Sequence, residues 1–345
     1  MPAMLSDEDR LYILSSALDD KELELIIFPT EQCNFRCTYC YEDFVQGRLS
    51  PEHVAALKLL IETRCRGGLR HLRLSWFGGE PLVAYDIVRD ISSHAHRSCL
   101  DHGTTLNVNL TTNGWLLDEQ RFLELASCGA CEYQISLDGD QEEHDRRRVR
   151  KGGRPSFKRI YDVLTTYNRM RLQGLLPGTN VILRLHLHPA NTGSMLALAR
   201  RIERDFDPRF FSIYLKEVGY YGGQHDGSYA VFNETDRALS EVKTRLREIL
   251  HAFIDESSIN RIDVCYAGKA NSFTIRANGS VGKCTLALDS DFNQVGTLTA
   301  GGTLALDGPA LGRWVQVLAE MREEDLVCPV HRVSQLARET ARIAA

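Results

Sequence analysis

Long apolar runs are absent from this sequence of 345 residues. No stretch approaches the roughly 20 consecutive apolar residues that a membrane-spanning helix requires, so we expect no membrane partner. The N-terminal segment is acidic and lacks the basic and then apolar layout of a secretory signal peptide. These absences indicate a cytoplasmic protein, in which ten cysteines are better explained as metal ligands or free thiols than as disulfides.

A surplus of positive charge is lacking as well. The formal net charge is -5, although 25% of the residues are charged. Proteins whose main partner is duplex nucleic acid usually carry a basic surplus, so we expect no nucleic-acid partner. The hydrophobic fraction of 43% is that of an ordinary globular protein and argues against long disordered segments.

Six short runs rich in β-branched and aromatic residues alternate with amphipathic helical patterns along the first two thirds of the chain. The predicted strands are residues 23–30, 69–77, 105–112, 131–138, 180–188 and 209–218. This alternation predicts a parallel sheet covered by helices. Six units are fewer than the eight of a closed TIM barrel, so the expected fold class is α/β, a partial (β/α)6 barrel.

The composition changes after residue 218. A Gly-rich break is followed by a helical pattern over 235–255 and then by a stretch rich in Cys and Gly over 265–302. This shift predicts four parts. They are an N-terminal extension (1–24), the barrel (25–222), a linker helix (223–262) and a small C-terminal α+β domain (263–345).

Three cysteines, Cys33, Cys37 and Cys40, follow the first predicted strand with the spacing C-x3-C-x2-C. In parallel α/β folds this end of a strand is where ligand sites are built. Three thiolates can bind one face of a [4Fe–4S] cluster and leave one iron open for chemistry. A structural zinc site requires four ligands, and this loop contains no fourth Cys or His.

The cysteine spacing, with the aromatic Tyr39 before the third cysteine, resembles the signature of the radical S-adenosylmethionine (SAM) superfamily. The resemblance implies an enzyme in which SAM binds the open iron and Tyr39 lies near the adenine. It also implies that the reduced cluster cleaves SAM to methionine and a 5′-deoxyadenosyl radical, which abstracts a hydrogen atom from the substrate.

Gly78, Gly79 and Glu80, after the second strand, match the GGE motif that holds the amino group of SAM in this superfamily. Glycines allow a close approach of the backbone to a ligand, and a carboxylate accepts hydrogen bonds from an ammonium group. Asn113 in TTNG, and Ser136 and Asp138 in SLDG, end the next two strands and are candidate contacts for the ribose or carboxylate. Each of these strings alone could be ordinary turn chemistry.

The run from SLDG to SF resembles the peptide- and sulfatase-modifying branch of the superfamily, with His144, Asp145, Arg148 and Phe157 at the matching places. The resemblance implies that Arg148 pairs with a carboxylate of SAM or of the substrate. We expect the rest of the basic run 146–151 to be a solvated loop. Arg184 is a weaker candidate for function, because it could be a satisfied barrel arginine.

A second cysteine set lies beyond the predicted boundary. Cys265-x13-Gly279-x4-Cys284 resembles the opening of the SPASM and twitch auxiliary-cluster domains, and its Asn-Gly turn predicts a β-hairpin. Cys328 would be a third ligand, and the fourth position would be open, filled by substrate or, less favourably, held by His331. The full SPASM pattern has seven cysteines, so only one auxiliary iron–sulfur cluster is expected. Four other cysteines are predicted to be buried thiols: Cys65, Cys99, Cys128 and Cys131.

The resemblance implies modification of a ribosomally made peptide, by crosslinking, oxidation or epimerisation. The expected partners are that peptide and a reductant such as flavodoxin or ferredoxin. Because only about 25 residues precede the first strand, leader recognition would need a separate protein or the acid- and arginine-lined surface of the barrel. No general acid or base is predicted. The residues within reach that have no motif are Tyr214, Lys216, Glu217, Tyr220 and Tyr221.

Three alternatives stay open. An anaerobic sulfatase maturase would form formylglycine, but such enzymes carry the full SPASM cysteine set. A small molecule could replace the peptide, as in MoaA-like cyclases, whose second cluster uses a different cysteine spacing. An electron carrier or metal-binding scaffold would have no need of Glu80 and its glycines.

Overall fold

The computed structural model describes residues 5–221, 227–233, 235–254 and 264–344, with side chains as far as residue 340. The strands are β1 Glu22–Ile27, β2 Phe35–Cys37, β3 His71–Trp76, β4 Thr105–Thr112, β5 Ala130–Leu137, β6 Arg148–Arg150, β7 Asn180–Leu187, β8 Phe211–Glu217, β9 Ser272–Ile275, β10 Ser280–Gly282, β11 Gln294–Leu298 and β12 Leu304–Leu306. The helices are α1 Asp7–Leu18, α2 Pro51–Arg66, α3 Tyr85–His102, α4 Glu119–Ser127, α5 Gln141–Arg147, α6 Phe157–Leu172, α7 Thr192–Asp205, α8 Arg237–Ile249, α9 Gly308–Val315, α10 Val317–Glu320, α11 Glu323–Val327 and α12 Val330–Ala344.

The six predicted barrel strands are all present and lie side by side in the order β1-β3-β4-β5-β7-β8. Every neighbouring pair among them is parallel, with a helix in each connection. The predicted α/β partial barrel is therefore confirmed. The first strand stops at Ile27 instead of residue 30, because Pro29 has no N–H to donate to a ladder.

The helices of the barrel also begin where their capping residues predict. Ser50 Oγ accepts a hydrogen bond from the His53 N–H, and Pro51 occupies the first turn of α2. Apolar side chains of these helices pack on the sheet in one large buried core, which includes Leu57, Ile61 and Val88. The packed helices therefore support the sheet whose strand ends carry the site.

The C-terminal strands continue the barrel sheet. β9 pairs parallel to β1, and β10, β11 and β12 extend the sheet as antiparallel neighbours. The predicted hairpin is present as β9–β10, and Gly279 in its turn has φ +80°. The proposed boundaries fall in part on residues 222–226 and 255–263, outside the described residues, so the division into parts stays a prediction.

Two regions differ from expectation. The N-terminal extension contains helix α1, whose Ile13 and Ala17 pack against Leu318 and Leu326 of the C-terminal segment. The basic run 146–151 was expected to be a solvated loop. Arg146 and Lys151 are exposed, but the loop is wrong, because residues 146–150 form the end of α5 and strand β6. Within the described residues, no helix is both long and apolar enough to cross a membrane.

Candidate functional site

A cavity of about 440 Å³ opens at the carboxyl ends of the parallel strands. The sulfur-bearing residues Cys33, Cys37 and Cys40 line one side of it. Residues adjacent to the second cysteine set line another side: Tyr266, Thr285 and Leu286. The first cysteine set therefore borders the same space as residues that neighbour Cys265 and Cys284 in sequence, whereas those two cysteines are not among the lining residues.

The first cysteine loop is fixed by backbone pairing. Cys37 of β2 is aligned with Arg148 of β6 in a small antiparallel ladder, and the Cys40 N–H donates to the Cys37 carbonyl at 3.1 Å. The Cys33 sulfur accepts from the Phe35 N–H at 3.3 Å. These contacts hold three free thiols on one short loop beside the cavity.

The three thiols lie in an environment that disfavours thiolates. Burial raises the pKa of Cys40 to about 12, with a further contribution from the Cys37 charge. Burial also raises the pKa values of Cys33 and Cys37, and Arg148 partly offsets this at Cys37. Three thiolates at this site require added positive charge, and the iron of an iron–sulfur cluster supplies it. The three sulfurs therefore suit such a cluster. The described residues contain no group of three or more His, Cys, Asp or Glu arranged for a single metal ion.

Two glycines after β3 lie directly against the cysteine loop. A Cβ on Gly79 would come within 2.6 Å of the Glu31 carbonyl oxygen and 2.7 Å of the Gln32 carbonyl oxygen. Gly78 has φ +111°, a conformation that favours glycine. Both glycines line the cavity, and neither position accommodates a side chain without moving this loop.

Glu80 lies behind the cavity wall and is completely buried. Its Oε1 accepts from Thr112 Oγ1 at 2.7 Å and from the Leu82 N–H at 3.1 Å. Its Oε2 accepts from the Asn113 N–H at 2.7 Å. Glu80 therefore joins the ends of β3 and β4 and fixes the backbone of Asn113. A direct contact of Glu80 with an ammonium group stays a prediction.

Asn113 and Ser136 both line the cavity, as does Arg148. The Asn113 side-chain amide donates to Asn34 Oδ1 at 2.7 Å, which ties the end of β4 to the cysteine loop. Asp138 is completely buried and, like Glu80, is set behind the lining residues. Among the described residues, its Oδ2 has no hydrogen-bond partner.

A buried polar network connects Tyr39 to the carboxyl ends of β5 and β7. Arg148 Nη1 donates to the Tyr39 hydroxyl at 2.8 Å, and that hydroxyl lies 3.0 Å from His186 Nδ1. The same nitrogen lies 3.3 Å from Asp138 Oδ1. Burial opposes ionisation of Asp138, but the His186 hydrogen bond and the Arg148 charge outweigh it and lower the pKa of Asp138.

Arg148 lines the cavity, and its buried Nε has no hydrogen-bond partner among the described residues. An arginine fork with unsatisfied donors suits a carboxylate. His186 was not predicted. The signal was present in the alternation of polar side chains along β7, where Arg184 and His186 share one face of the strand.

The second cysteine set is assembled by distant parts of the chain. The Cys265 N–H donates to the Leu326 carbonyl at 2.8 Å, which brings the segment before Cys328 alongside. Burial raises the pKa of Cys265 to about 11, with contributions from Cys284 and Cys328. Cys284 is buried and Cys328 is exposed. His331 is exposed on α12.

Three of the four remaining cysteines are buried as predicted: Cys65, Cys99 and Cys128. The prediction for Cys131 is wrong, since its side chain is only half-buried. The ladder between β4 and β5 shifts register at this residue, because Val108 aligns with Ala130 whereas Asn109 aligns with Glu132. Cys131 is thus the extra, unpaired residue of a β-bulge, and its side chain does not pack as those of regular strand residues do.

The candidates without a motif divide into two groups. The cavity is lined by Tyr214, Lys216, Glu217 and Tyr221. Tyr220 is not among the lining residues, and its hydroxyl donates to the Tyr229 carbonyl at 2.7 Å. Glu217 forms an ion pair with Lys243 of α8, so its carboxylate is already engaged.

Comparison with known families and proteins gives a match over residues 27–196 to the family described as the radical SAM superfamily. The chain is 43% identical over 124 residues to a GTP 3',8-cyclase of Mesorhizobium japonicum, covering 33% of this chain and 34% of that protein. It is 32% identical over 186 residues to a GTP 3',8-cyclase of Paenarthrobacter nicotinovorans, covering 52% and 48%. The match spans about a third to a half of the length of these relatives.

The fold is similar to two solved structures. One is described as native anSMEcpe with bound AdoMet and Kp18Cys peptide, with a TM-score of 0.65, 16% identity, and coverage of 90% of this chain and 88% of that chain. The other is Streptococcus suis SuiB bound to S-adenosylmethionine, with a TM-score of 0.59, 14% identity, and coverage of 89% and 71%. At these identities the likeness shows the fold.

Proposed function

Because residues 27–196 form a radical SAM superfamily domain, we propose that this radical SAM enzyme modifies a ribosomally made peptide and carries one auxiliary iron–sulfur cluster. The observation that carries the proposal is the shared cavity, with Cys33, Cys37 and Cys40 on one side and residues next to Cys265 and Cys284 on another. When bound, a [4Fe–4S] cluster and SAM together supply a 5′-deoxyadenosyl radical that abstracts a hydrogen atom from carbon.

Different residues around the first cysteine loop bind the cluster and the separate parts of SAM. Cys33, Cys37 and Cys40 hold the cluster by three sulfurs, and Arg148 offers donors to the SAM carboxylate. Tyr39 is kept at the adenine side by its contacts with Arg148 and His186. The backbone at Gly78 and Gly79 and the polar groups of Asn113 and Ser136 complete the SAM-binding wall.

Cys265, Cys284 and Cys328 hold the auxiliary cluster in this proposal. Tyr266 and Thr285 follow two of these cysteines, and both line the cavity. The Tyr266 hydroxyl lies 2.7 Å from Thr285 Oγ1, which couples the two chain segments next to the sulfurs. A cluster held by these cysteines would supply an electron acceptor for a substrate radical or a binding point for the substrate, and Tyr266 and Thr285 would separate it from the cavity.

A peptide is favoured over a compact ligand by the lining of the cavity. Aromatic side chains with polar handles border it, including Tyr41, Tyr214 and Tyr266, and such residues contact peptide chains well. A structure of the same fold was solved with AdoMet and a peptide. A small one-electron donor such as flavodoxin or ferredoxin and a separate leader-recognition protein are the further partners that we propose.

The test is an anaerobic assay of the reconstituted protein with SAM, dithionite and the peptides encoded beside its gene. We expect 5′-deoxyadenosine, and a changed mass in one peptide, by liquid chromatography and mass spectrometry. Absence of 5′-deoxyadenosine would contradict SAM cleavage. Its formation with no change in any peptide would contradict the peptide substrate alone.

The second candidate is radical modification of a nucleotide, favoured by identities of 43% and 32% to proteins named GTP 3',8-cyclase. Adding GTP to the same assay separates the two candidates, because a cyclised product would appear without any peptide. A sulfatase-maturase activity would instead convert a Ser or Cys of a peptide to formylglycine. An electron carrier would bind no SAM, so equilibrium binding of SAM separates it from all three enzymes.

A further inference from the structure

We propose that Arg184 and Lys216 form an anion-binding subsite inside the barrel, which takes a carboxylate or phosphate group of the substrate. This inference rests on the proposed function, since it concerns the substrate of the same cavity. In the ladder of β7 and β8, Arg184 is aligned with Tyr214 and His186 with Lys216. The two cations are therefore diagonal neighbours on one face of the sheet. Both line the cavity.

Neither cation is neutralised by the protein. Arg184 Nε is buried without a hydrogen-bond partner, and the described residues provide no hydrogen bond or ion pair to this side chain. Its guanidinium carbon lies 5.8 Å from the centre of the Tyr214 ring, and its charge also acts on His186 and Tyr41. Lys216 likewise forms no ion pair within the described part of the chain, and the neighbouring Glu217, on which its charge acts, is paired with Lys243. Both residues are partly exposed, and two unpaired cations beside one cavity attract an anion to it.

The nearby acids are engaged elsewhere or do not pair with these two cations. Glu217 forms an ion pair with Lys243. Glu24 accepts from Ser75 at 3.4 Å and from Ser272 at 3.1 Å. Asp138 lies against His186. Glu42 lines the cavity from the cysteine loop and has one oxygen without a partner, but among the described ion pairs it has none with Arg184 or Lys216.

The chemistry of the pair defines the ligand. A guanidinium presents a planar fork of donors, and an ammonium adds a compact positive charge beside it. Together they suit a group with two or three negatively charged oxygens. For a peptide substrate the group is the carboxylate of an acidic residue that enters the barrel. For a nucleotide it is a phosphate.

The experiment measures binding to the full-length, reconstituted protein under anaerobic conditions by calorimetry. Two matched pairs of probes distinguish the sources: acetyl-Gly-Glu-Gly-amide against its Gln counterpart, and GTP against guanosine. We expect one charged probe to bind at least about tenfold more tightly than its neutral counterpart. The pair that shows the difference identifies a carboxylate or a phosphate as the ligand.

The variants Arg184→Gln and Lys216→Gln should each reduce the charged-to-neutral affinity ratio by about tenfold, whereas Arg184→Lys should retain part of it. The controls are Arg169→Gln and Lys158→Gln, which remove exposed charges of the same kinds on α6 and should leave the ratio unchanged. The ratio is taken within one preparation, so partial unfolding of a variant does not alter it.

Equal binding of charged and neutral probes by the wild-type protein, including no binding by either, would overturn the subsite. An unchanged ratio in Arg184→Gln and Lys216→Gln would also overturn it. The proposed function is tested separately on the same preparation by 5′-deoxyadenosine formation in the wild-type protein. Failure of that reaction counts against SAM cleavage, whereas failure of the affinity ratio counts against the anion subsite.

Discussion

The cysteine loop after β1 and the cysteine-bearing segment after residue 264 border the same cavity but are built in different ways. In the first, Cys33, Cys37 and Cys40 follow one another in a short loop that pairs with β6. In the second, Cys265 and Cys284 are joined by a hairpin, and Cys328 returns from much further along the chain. The first site is specified by local spacing, and the second depends on long-range folding.

An ion-pair network connects the two regions. Arg276, at the end of β9, donates to Glu31 Oε1 at 2.9 Å and to Glu31 Oε2 at 2.8 Å. The same guanidinium donates to Asp289 Oδ1 at 2.8 Å. Because Glu31 is buried just before Cys33, this bidentate pair fixes the C-terminal hairpin against the first cysteine loop. The two regions can therefore be separated by substitution at their cysteines or at this bridge.

The largest expected effect follows from removing the first cysteine set. In the variant Cys33→Ala/Cys37→Ala/Cys40→Ala, we expect iron to fall from about eight to about four atoms per chain and 5′-deoxyadenosine to disappear. Iron and sulfide analysis of the reconstituted protein measures the first, and chromatography the second. Iron that stays at the wild-type level would show that these sulfurs hold no cluster.

Removing the second cysteine set should remove the auxiliary cluster and leave the SAM-binding cluster in place. In Cys265→Ala/Cys284→Ala, we expect a similar loss of about four iron atoms. Peptide modification should be lost while 5′-deoxyadenosine is still formed, because the SAM-binding loop keeps its own contacts. Loss of both reactions in a folded protein would contradict the separate roles.

The next largest effect is on stability and follows from breaking the ion pair between Arg276 and Glu31. Arg276→Met leaves the buried Glu31 carboxylate without its partner, so we expect about 3–5 kcal/mol lower free energy of unfolding. The matched control is Arg209→Met, which breaks an exposed pair with Asp207 and should leave the free energy of unfolding nearly unchanged. Denaturant unfolding measures both variants. Equal losses would mean that the bridge does not couple the regions.

The smallest effect is on how the free energy of unfolding depends on pH, and it arises from the buried His144 of the barrel. Burial lowers the pKa of His144 to about 4, below the ordinary value near 6.5. Between these values the unfolded chain binds a proton that the folded chain does not, so stability falls as the pH drops from about 6.5 to about 4. In His144→Phe this fall should be smaller by up to about 3 kcal/mol.

Denaturant unfolding between these pH limits measures the change. The matched control is His102→Phe, which replaces an exposed imidazole at the end of α3. A parallel shift of both variants, with no change in slope, would contradict a buried neutral imidazole at His144.

Much of the barrel could be predicted from the sequence because its signals are local. Alternating apolar residues and caps such as Ser50 with Pro51 predicted all six parallel strands and α2. Helix α1 was missed, since only Ile13 and Ala17 are buried and their partners come from the C-terminal segment. The three-residue strands β2 and β6 are too short to carry a periodic pattern.

In the site, too, local motifs could be predicted and long-range contacts could not. Gly78, Gly79, Asn113 and Ser136 could be predicted to border the cavity because each belongs to a motif at a strand end, and Arg148 because it follows the SLDG motif at a characteristic spacing. The His186 contact with Tyr39, the Arg276 pair with Glu31 and the pairing of β9 with β1 could not, since each joins residues far apart in sequence. Local spacing carries no information on such pairs.

The central claim is that the loop of Cys33, Cys37 and Cys40 holds the cluster that binds SAM. Electron paramagnetic resonance of the dithionite-reduced protein, with and without SAM, tests it most directly. We expect a cluster signal that changes on SAM addition in the wild-type protein and in Cys265→Ala/Cys284→Ala, and no SAM-dependent signal in Cys33→Ala/Cys37→Ala/Cys40→Ala. A SAM-dependent signal that survives in the triple variant, or is absent from the wild type, would contradict the claim.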